Sequence, residues 1–185
     1  MKSNFLDKIK QKLLGRSIFL IGMMASGKSK TGPKLAELLN YKFIDLDLLI
    51  EKVAKKSVSK IFKEDGEQVF RDIETLCLKE IIKVHSLIIS TGGGIVLSKE
   101  NWGILSQGIT VWMDIDEKVA LERLSNDLNK RPLLLEGDIK KNFIRIYNSR
   151  KNLYDQADLK VKIIHDSVEK VVEKIIIELD SKINH

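Results

Sequence analysis

Short apolar runs alternate along this chain with longer segments whose apolar positions recur every three or four residues. That is the pattern of strands interleaved with helices. Residues 17–21, 87–90 and 109–114 are almost wholly apolar and read as buried strands. Residues 41–47 read as a further strand ending in Asp45 and Asp47, and residues 159–164 alternate as a last one. Helical spacing marks residues 28–39 through Leu35, Ala36, Leu38 and Leu39. Most of residues 48–84 is helical, with a short piece from Ser57, a break at Asp65 and Gly66, and a longer helix after it. A helix is expected from near Asp138, and Ser167 caps a final one whose inner face holds Val168, Val171, Val172, Ile175, Ile176 and Leu179. The order predicts one α/β domain over residues 1–185, a parallel five-stranded sheet with helices on both faces.

The first sixteen residues form a Lys-rich extension, 1–16, with Phe5, Leu6, Ile9, Leu13 and Leu14 on one face. A helix docked on the body is expected, with contact to a membrane surface as the alternative. The segment has no continuous apolar stretch of the signal-peptide kind, and no run approaches the ~20 residues of a membrane span. Charge alters the picture little. The net charge of +6 comes from Lys residues interleaved with acids, and aromatics make up only 6%. That suits a solvated surface and an anionic small molecule better than nucleic acid. A single cysteine, Cys77, rules out an internal disulfide and fits the reducing cytoplasm. His85, His165 and His185 lack metal-ligand spacing.

Candidate chemistry begins right after the first strand. Gly22, Met23, Met24, Ala25, Ser26, Gly27, Lys28 and Ser29 spell G-x-x-x-x-G-K-S between a strand and a helix. In that setting main-chain amides and the helix N-terminus cradle phosphates, Lys28 reaches the β- and γ-phosphates, and the Ser29 hydroxyl holds Mg²⁺. Lys30 and Pro33 follow at once, and Pro33 removes a donor early in the helix. Alternation puts Asp45 and Asp47 on one side of an extended segment, where two acids need a cation or polar ligand between them. Asp47 as a plain helix cap is the alternative. Arg71 and Glu74, three apart on a helix, can pair. Gly92, Gly93 and Gly94 after a buried strand suggest a ligand approaching the main chain. Asp114, at the end of an apolar strand, looks like a metal-side acid, but Asp116 opens a helix there and Asp45 is preferred. A lid carrying Lys130 and Arg131 is expected at residues 125–138.

Five ordered motifs over residues 15–180 resemble the shikimate kinases, small-molecule kinases of the adenylate-kinase-like phosphate-loop group. They are Gly22 to Ser29; Phe43-Ile-Asp45-Leu-Asp47; Asp65-Gly-Glu-x-x-Phe70-Arg71-x-x-Glu74; Ser90-Thr-Gly92-Gly93-Gly94; and Arg131-Pro-Leu-Leu with Arg150-x-x-Leu-Tyr154. The resemblance implies strand order 2-3-1-4-5, a helical substrate-binding insertion at residues 46–75 and a mobile lid. It implies transfer of phosphate from ATP to the 3-hydroxyl of shikimate, in aromatic amino-acid biosynthesis, by a cytoplasmic monomer using Mg²⁺. Carried over by position, Lys28 contacts the moving phosphoryl group and Arg131 neutralises the phosphates. Ser29 holds Mg²⁺, with Asp45 one shell out and Ser90 acting through water. Asp47 orients or deprotonates the attacking hydroxyl. Arg71 and Arg150 clamp the carboxylate, with Glu74 fixing Arg71 and Gly92 to Gly94 meeting the substrate. Residues 22–30 bind ATP, and Arg123 resembles the family's adenine-stacking Arg. Two rivals remain: a kinase for gluconate or a nucleoside monophosphate, and a non-catalytic nucleotide-binding relative.

Overall fold

In the computed structural model, which describes residues 3–125 and 138–183, five strands build one parallel sheet. They are β1 (Ile18–Ile21), β2 (Lys42–Asp45), β3 (Leu87–Ser90), β4 (Ile109–Ile115) and β5 (Leu159–Ile163), in the order β2-β3-β1-β4-β5. All four residues of β1 and all four of β3 are buried, so both faces of the sheet are covered. At the edge, β5 buries Leu159, Val161 and Ile163 and exposes Lys160 and Lys162, as its alternation requires.

Helices α1 (Ser3–Leu13), α2 (Lys28–Leu39), α3 (Leu46–Ala54), α4 (Val58–Glu64) and α5 (Glu67–Ile81) come first. They are followed by α6 (Lys99–Leu105), α7 (Glu117–Ser125), α8 (Ile139–Tyr154) and α9 (Val168–Ile183). Residues 46–75 thus comprise α3, α4 and the first half of α5. α2 survives Pro33 and runs on to a left-handed cap at Asn40. The proline leaves the Ser29 carbonyl without its helical donor.

Register sets the site. Ser90 of β3 lies opposite Asp45 of β2 on one side and Leu20 of β1 on the other. Three strands therefore end at one level, where ligands bind in open parallel sheets. One boundary differs from the sequence reading. β2 stops at Asp45, whose carboxylate accepts from the Asp47 amide at 3.1 Å and the Leu48 amide at 3.4 Å and so caps α3. Asp47 stands in the first helical turn, not on an extended strand, and Asp45 is the cap. A carboxylate cap at a helix N-terminus satisfies orphan amides and the dipole together, which extension of β2 by two residues would forfeit.

The N-terminal helix docks on α2 and α9, with Ile9 and Leu13 fully buried and Phe5 and Leu6 packed beside them. Leu14 departs from the expected face: it is 85% exposed, in left-handed backbone just past the helix. Replacing Ile9 or Leu13 by Ala is expected to lower unfolding free energy by about 2–4 kcal/mol each. Leu14→Ala is expected to stay within about 0.5 kcal/mol. Urea denaturation of the three variants checks this, and equal small effects at all three would mean an undocked helix.

Candidate active site

The loop from Gly22 to Ser29 is shaped around its own lysine. Lys28 is nearly buried, and its ammonium donates to the carbonyls of Gly22 (2.9 Å) and Met23 (2.8 Å) and to Ser26 Oγ (3.2 Å). Gly22 needs its missing Cβ: φ is +135°, and a Cβ would stand 2.7 Å from the Met113 carbonyl on β4. The amides of Ala25, Gly27 and Ser29 have no acceptor among the described residues. Unpaired donors at a helix N-terminus are what a phosphate chain requires. Arg123, from α7, donates to the Ala25 carbonyl at 3.0 Å and so reaches this loop. Met24 lies half-buried within it, and Lys30 follows it, exposed.

Beside the loop, Ser29 Oγ donates to Asp45 Oδ2 at 2.5 Å and lies 3.3 Å from Ser90 Oγ. A hydroxyl, a carboxylate and a second hydroxyl next to a phosphate cradle fit Mg²⁺, which keeps waters and phosphate oxygens as most of its ligands. No group of three or more His, Cys, Asp or Glu side chains able to hold a metal occurs among the described residues. Asp114 is occupied elsewhere: it accepts from Tyr147 at 3.1 Å and pairs with Lys160 at 3.6 Å.

A second constellation gathers around the glycine turn. Arg71 of α5 donates through Nη1 to Glu74 Oε2 at 2.8 Å, and through Nε and Nη2 to Glu67 Oε1 at 3.3 and 3.0 Å. Glu74 is completely buried, so the pair is not the exposed kind that contributes little. Three of the five N–H donors of Arg71 are held by these acids, which leaves two for a ligand. Arg150 of α8 is also buried. It lies 3.6 Å from where a Cβ on Gly93 would be. Tyr154, one turn further on, donates to the Gly93 carbonyl at 2.5 Å and to Met23 Sδ at 3.7 Å, and stacks on Trp112. Burial pushes the Tyr154 hydroxyl up to about 12, so it stays a donor.

The glycines make room for the protein's own side chains. A Cβ on Gly94 would sit inside the Arg71 guanidinium, and one on Gly92 would press on Asp47 Oδ1 and Glu74 Oε1, each at 3.1 Å. The sequence reading expects a ligand against that main chain; the atoms found there belong to Arg71, Asp47 and Glu74. Burial raises the Asp47 carboxyl above its ordinary value, Asp45 adds to this, and Lys28 and Arg71 oppose it.

Lys28, Ser29, Asp45, Asp47, Arg71, Arg150 and the three glycines are thus brought to one end of the sheet. Arg131 lies outside the described residues, as do residues 126–137 of the expected lid. Sequence reasoning gave Tyr154 no role. Its spacing four residues after Arg150, on the same helix face, is the signal that points to it.

Comparison with known proteins agrees with this geometry. The profile of the family described as Shikimate kinase matches residues 24–180. A shikimate kinase from Prochlorococcus marinus (strain NATL2A) is 51% identical over 173 residues, covering 94% of this chain and 87% of the relative. A solved shikimate kinase from Acinetobacter baumannii, in complex with shikimate, superposes with a TM-score of 0.88 at 30% identity, covering 94% of this chain and 97% of that one. The crystal structure of a shikimate kinase from Bacteroides thetaiotaomicron gives a TM-score of 0.82 at 31% identity, covering 89% and 98%. With its phosphate loop, its acid-capped second strand and its glycine turn lined by arginines, the chain belongs to the shikimate kinase family.

Proposed function

We propose that the chain transfers the γ-phosphoryl group of ATP to the 3-hydroxyl of shikimate, giving ADP and shikimate 3-phosphate in aromatic amino-acid biosynthesis. One observation carries the reading: Arg71 and Arg150 converge with Asp47 on a glycine turn beside a phosphate loop. Planar guanidinium groups suit a carboxylate, and a carboxylate at the same turn suits hydroxyls. The Acinetobacter relative solved with shikimate supports the choice of acceptor.

Phosphoryl transfer depends on positioning and charge neutralisation more than on covalent chemistry. In this reading the amides of residues 25–29 hold the triphosphate, and the Lys28 ammonium exchanges its carbonyl partners for phosphate oxygens. Ser29, with Asp45 behind it and Ser90 beside, would hold Mg²⁺, which would supply charge neutralisation on the phosphates. Arg71 and Arg150 hold the acceptor carboxylate, and the main chain of Gly92, Gly93 and Gly94 borders it. Asp47 accepts a hydrogen bond from the 3-hydroxyl and takes its proton as the bond to phosphorus forms. Met23, Met24, Ser26 and Lys30 border the nucleotide. Arg131 is assigned to the phosphates and Arg123 to the nucleotide. A monomer in the cytoplasm completes the reading. No helix among the described residues is long and apolar enough to cross a membrane.

A coupled assay is expected to show Mg²⁺-dependent ADP release that requires shikimate and is not supported by gluconate; no shikimate-dependent release from folded protein would end this reading. Asp47→Asn is expected to lower kcat by roughly 10²- to 10⁴-fold with little change in KM for ATP. A rate near that of the parent would remove Asp47 from the proton transfer. Gly94→Ala is expected to push Arg71 aside and raise KM for shikimate by about ten- to a hundredfold, the loss of one charged hydrogen-bond pair. KM for ATP should not follow, and steady-state kinetics in both substrates separates the two.

A further inference from the structure

Glu74 has one oxygen in use and one without a partner. Its carboxyl is completely buried. Oε2 accepts from Arg71, while Oε1 has no hydrogen-bond partner among the described residues. Buried carboxylate oxygens are rarely left so, because an unpaired charge in a low-dielectric site is costly. Oε1 is aimed at the glycine turn. It lies 3.1 Å from the point a Cβ on Gly92 would occupy, and Asp47 Oδ1 lies 3.1 Å from that same point. The two oxygens are therefore no further apart than twice that distance.

The charges around this point do not favour another anion if every acid is ionised. Glu74 faces Arg71 on its own helix, Asp47 from α3 and Arg150 from α8. Of the other neighbours of α5, Phe62 of α4 packs on Phe70 and Asn101 of α6 bonds Thr75, while Glu100 of α6 pairs with Lys79 further along α5. Arg71 and Arg150, with Lys28 beyond Asp47, would then face Asp47, Asp45, Glu74 and, at the rim, Glu67, which holds the outer edge of Arg71. An ionised Glu74 competes with an incoming carboxylate for the arginines. A proton on it removes that competition.

We propose that Glu74 carries a proton in the empty acceptor site, presents it from Oε1 toward Asp47, and so keeps Arg71 and Arg150 available to an anionic acceptor. Glu74 is in this view a positioning residue, acting through the two arginines and Asp47 and not on the reacting atoms. Burial is the main cause that holds its carboxyl up at about 7, Arg71 opposes, Asp47 adds to the rise and Arg150 opposes. Arrival of the acceptor's negative charge favours the protonated form further, so binding takes up a proton. Above neutral pH the acid ionises, competes for Arg71, and KM for the acceptor climbs. Only the identity of that acceptor rests on the function proposed above.

The first measurement needs no substrate. Carbon-13 NMR of the intact chain labelled at glutamate carboxyls is expected to show one signal titrating near pH 7. That signal should be missing in Glu74→Gln. All glutamates titrating in the ordinary carboxylate range would overturn the proposal. The second measurement is calorimetry of shikimate binding just above neutral pH, in two buffers of different ionisation heat. Proton uptake is expected for the parent chain and none for Glu74→Gln, whose amide mimics the protonated acid. KM for shikimate should rise with pH in the parent, by at most roughly tenfold per unit, and stay flat in Glu74→Gln. A purely structural role predicts the same pH profile in both, and that result would also overturn the proposal. If shikimate does not bind the parent chain at all, the assigned substrate falls, while the titration of the free enzyme still decides whether Glu74 holds the proton.

Discussion

Cations taken out of water must be held by something, and this site is built on that constraint. Lys28 is buried and Arg71 mostly so, and each is held by the chain itself, the first by loop carbonyls and the second by carboxyl groups. Leaving either partnerless would cost several kcal/mol, so the loop around Lys28 and the turn over Arg71 are fixed before any ligand arrives. Such preorganisation is worth most in phosphoryl transfer, where charge develops on oxygens that move little. The partners differ in kind. Carbonyls release an ammonium readily to phosphate oxygens, whereas a buried carboxyl group keeps its guanidinium in place and presents the remaining donors in one plane.

The two held cations belong to different halves of the fold, and the sheet brings the halves together. Parallel register ends β1, β2 and β3 at one level, which puts Ser29, Asp45 and Ser90 in contact although 61 residues separate the two serines. Tyr154 joins the halves a second time. Its hydroxyl lies against both Gly93 of the glycine turn and Met23 of the phosphate loop, and its ring stacks on Trp112 of β4. A shift of either loop is therefore felt by the other through one rigid phenol. Asp114, next to last in β4, is occupied: Tyr147 of α8 and Lys160 of β5 use both of its oxygens.

Local patterns were legible and long-range ones were not. The span of α2, the break at Asp65 and Gly66, the helix start near Asp138 and the alternation of β5 all follow from residues within a turn or two of one another. The phosphate loop was legible for the same reason, being contiguous. Asp47 was misplaced by one element, while Asp45 ends the strand as read, because both orders, strand end or helix turn, satisfy the same short string. The chain's turn after β2, set by packing of Leu46 and Ile50, decides between them. Glu74 shows the limit most clearly. Its spacing from Arg71 could be read directly, but its complete burial comes from α3 and the glycine turn closing over α5, and spacing does not encode that.

The glycine turn changes meaning when its neighbours are known. Three glycines in sequence imply that something lies too close for a Cβ, without saying what. Here the occupants are Arg71 against Gly94, Asp47 and Glu74 against Gly92, and Arg150 with Tyr154 against Gly93. Side chains from α3, α5 and α8 thus reach one short turn. A methyl group on Gly94 would displace Arg71, one on Gly92 would press on Asp47 and Glu74, and one on Gly93 would only touch Arg150 and Tyr154. A ligand at this turn accordingly meets guanidinium and carboxyl groups whose positions the main chain has set. The bareness of the turn thus sets where Arg71 above all can lie, since a side chain on Gly94 would occupy its place.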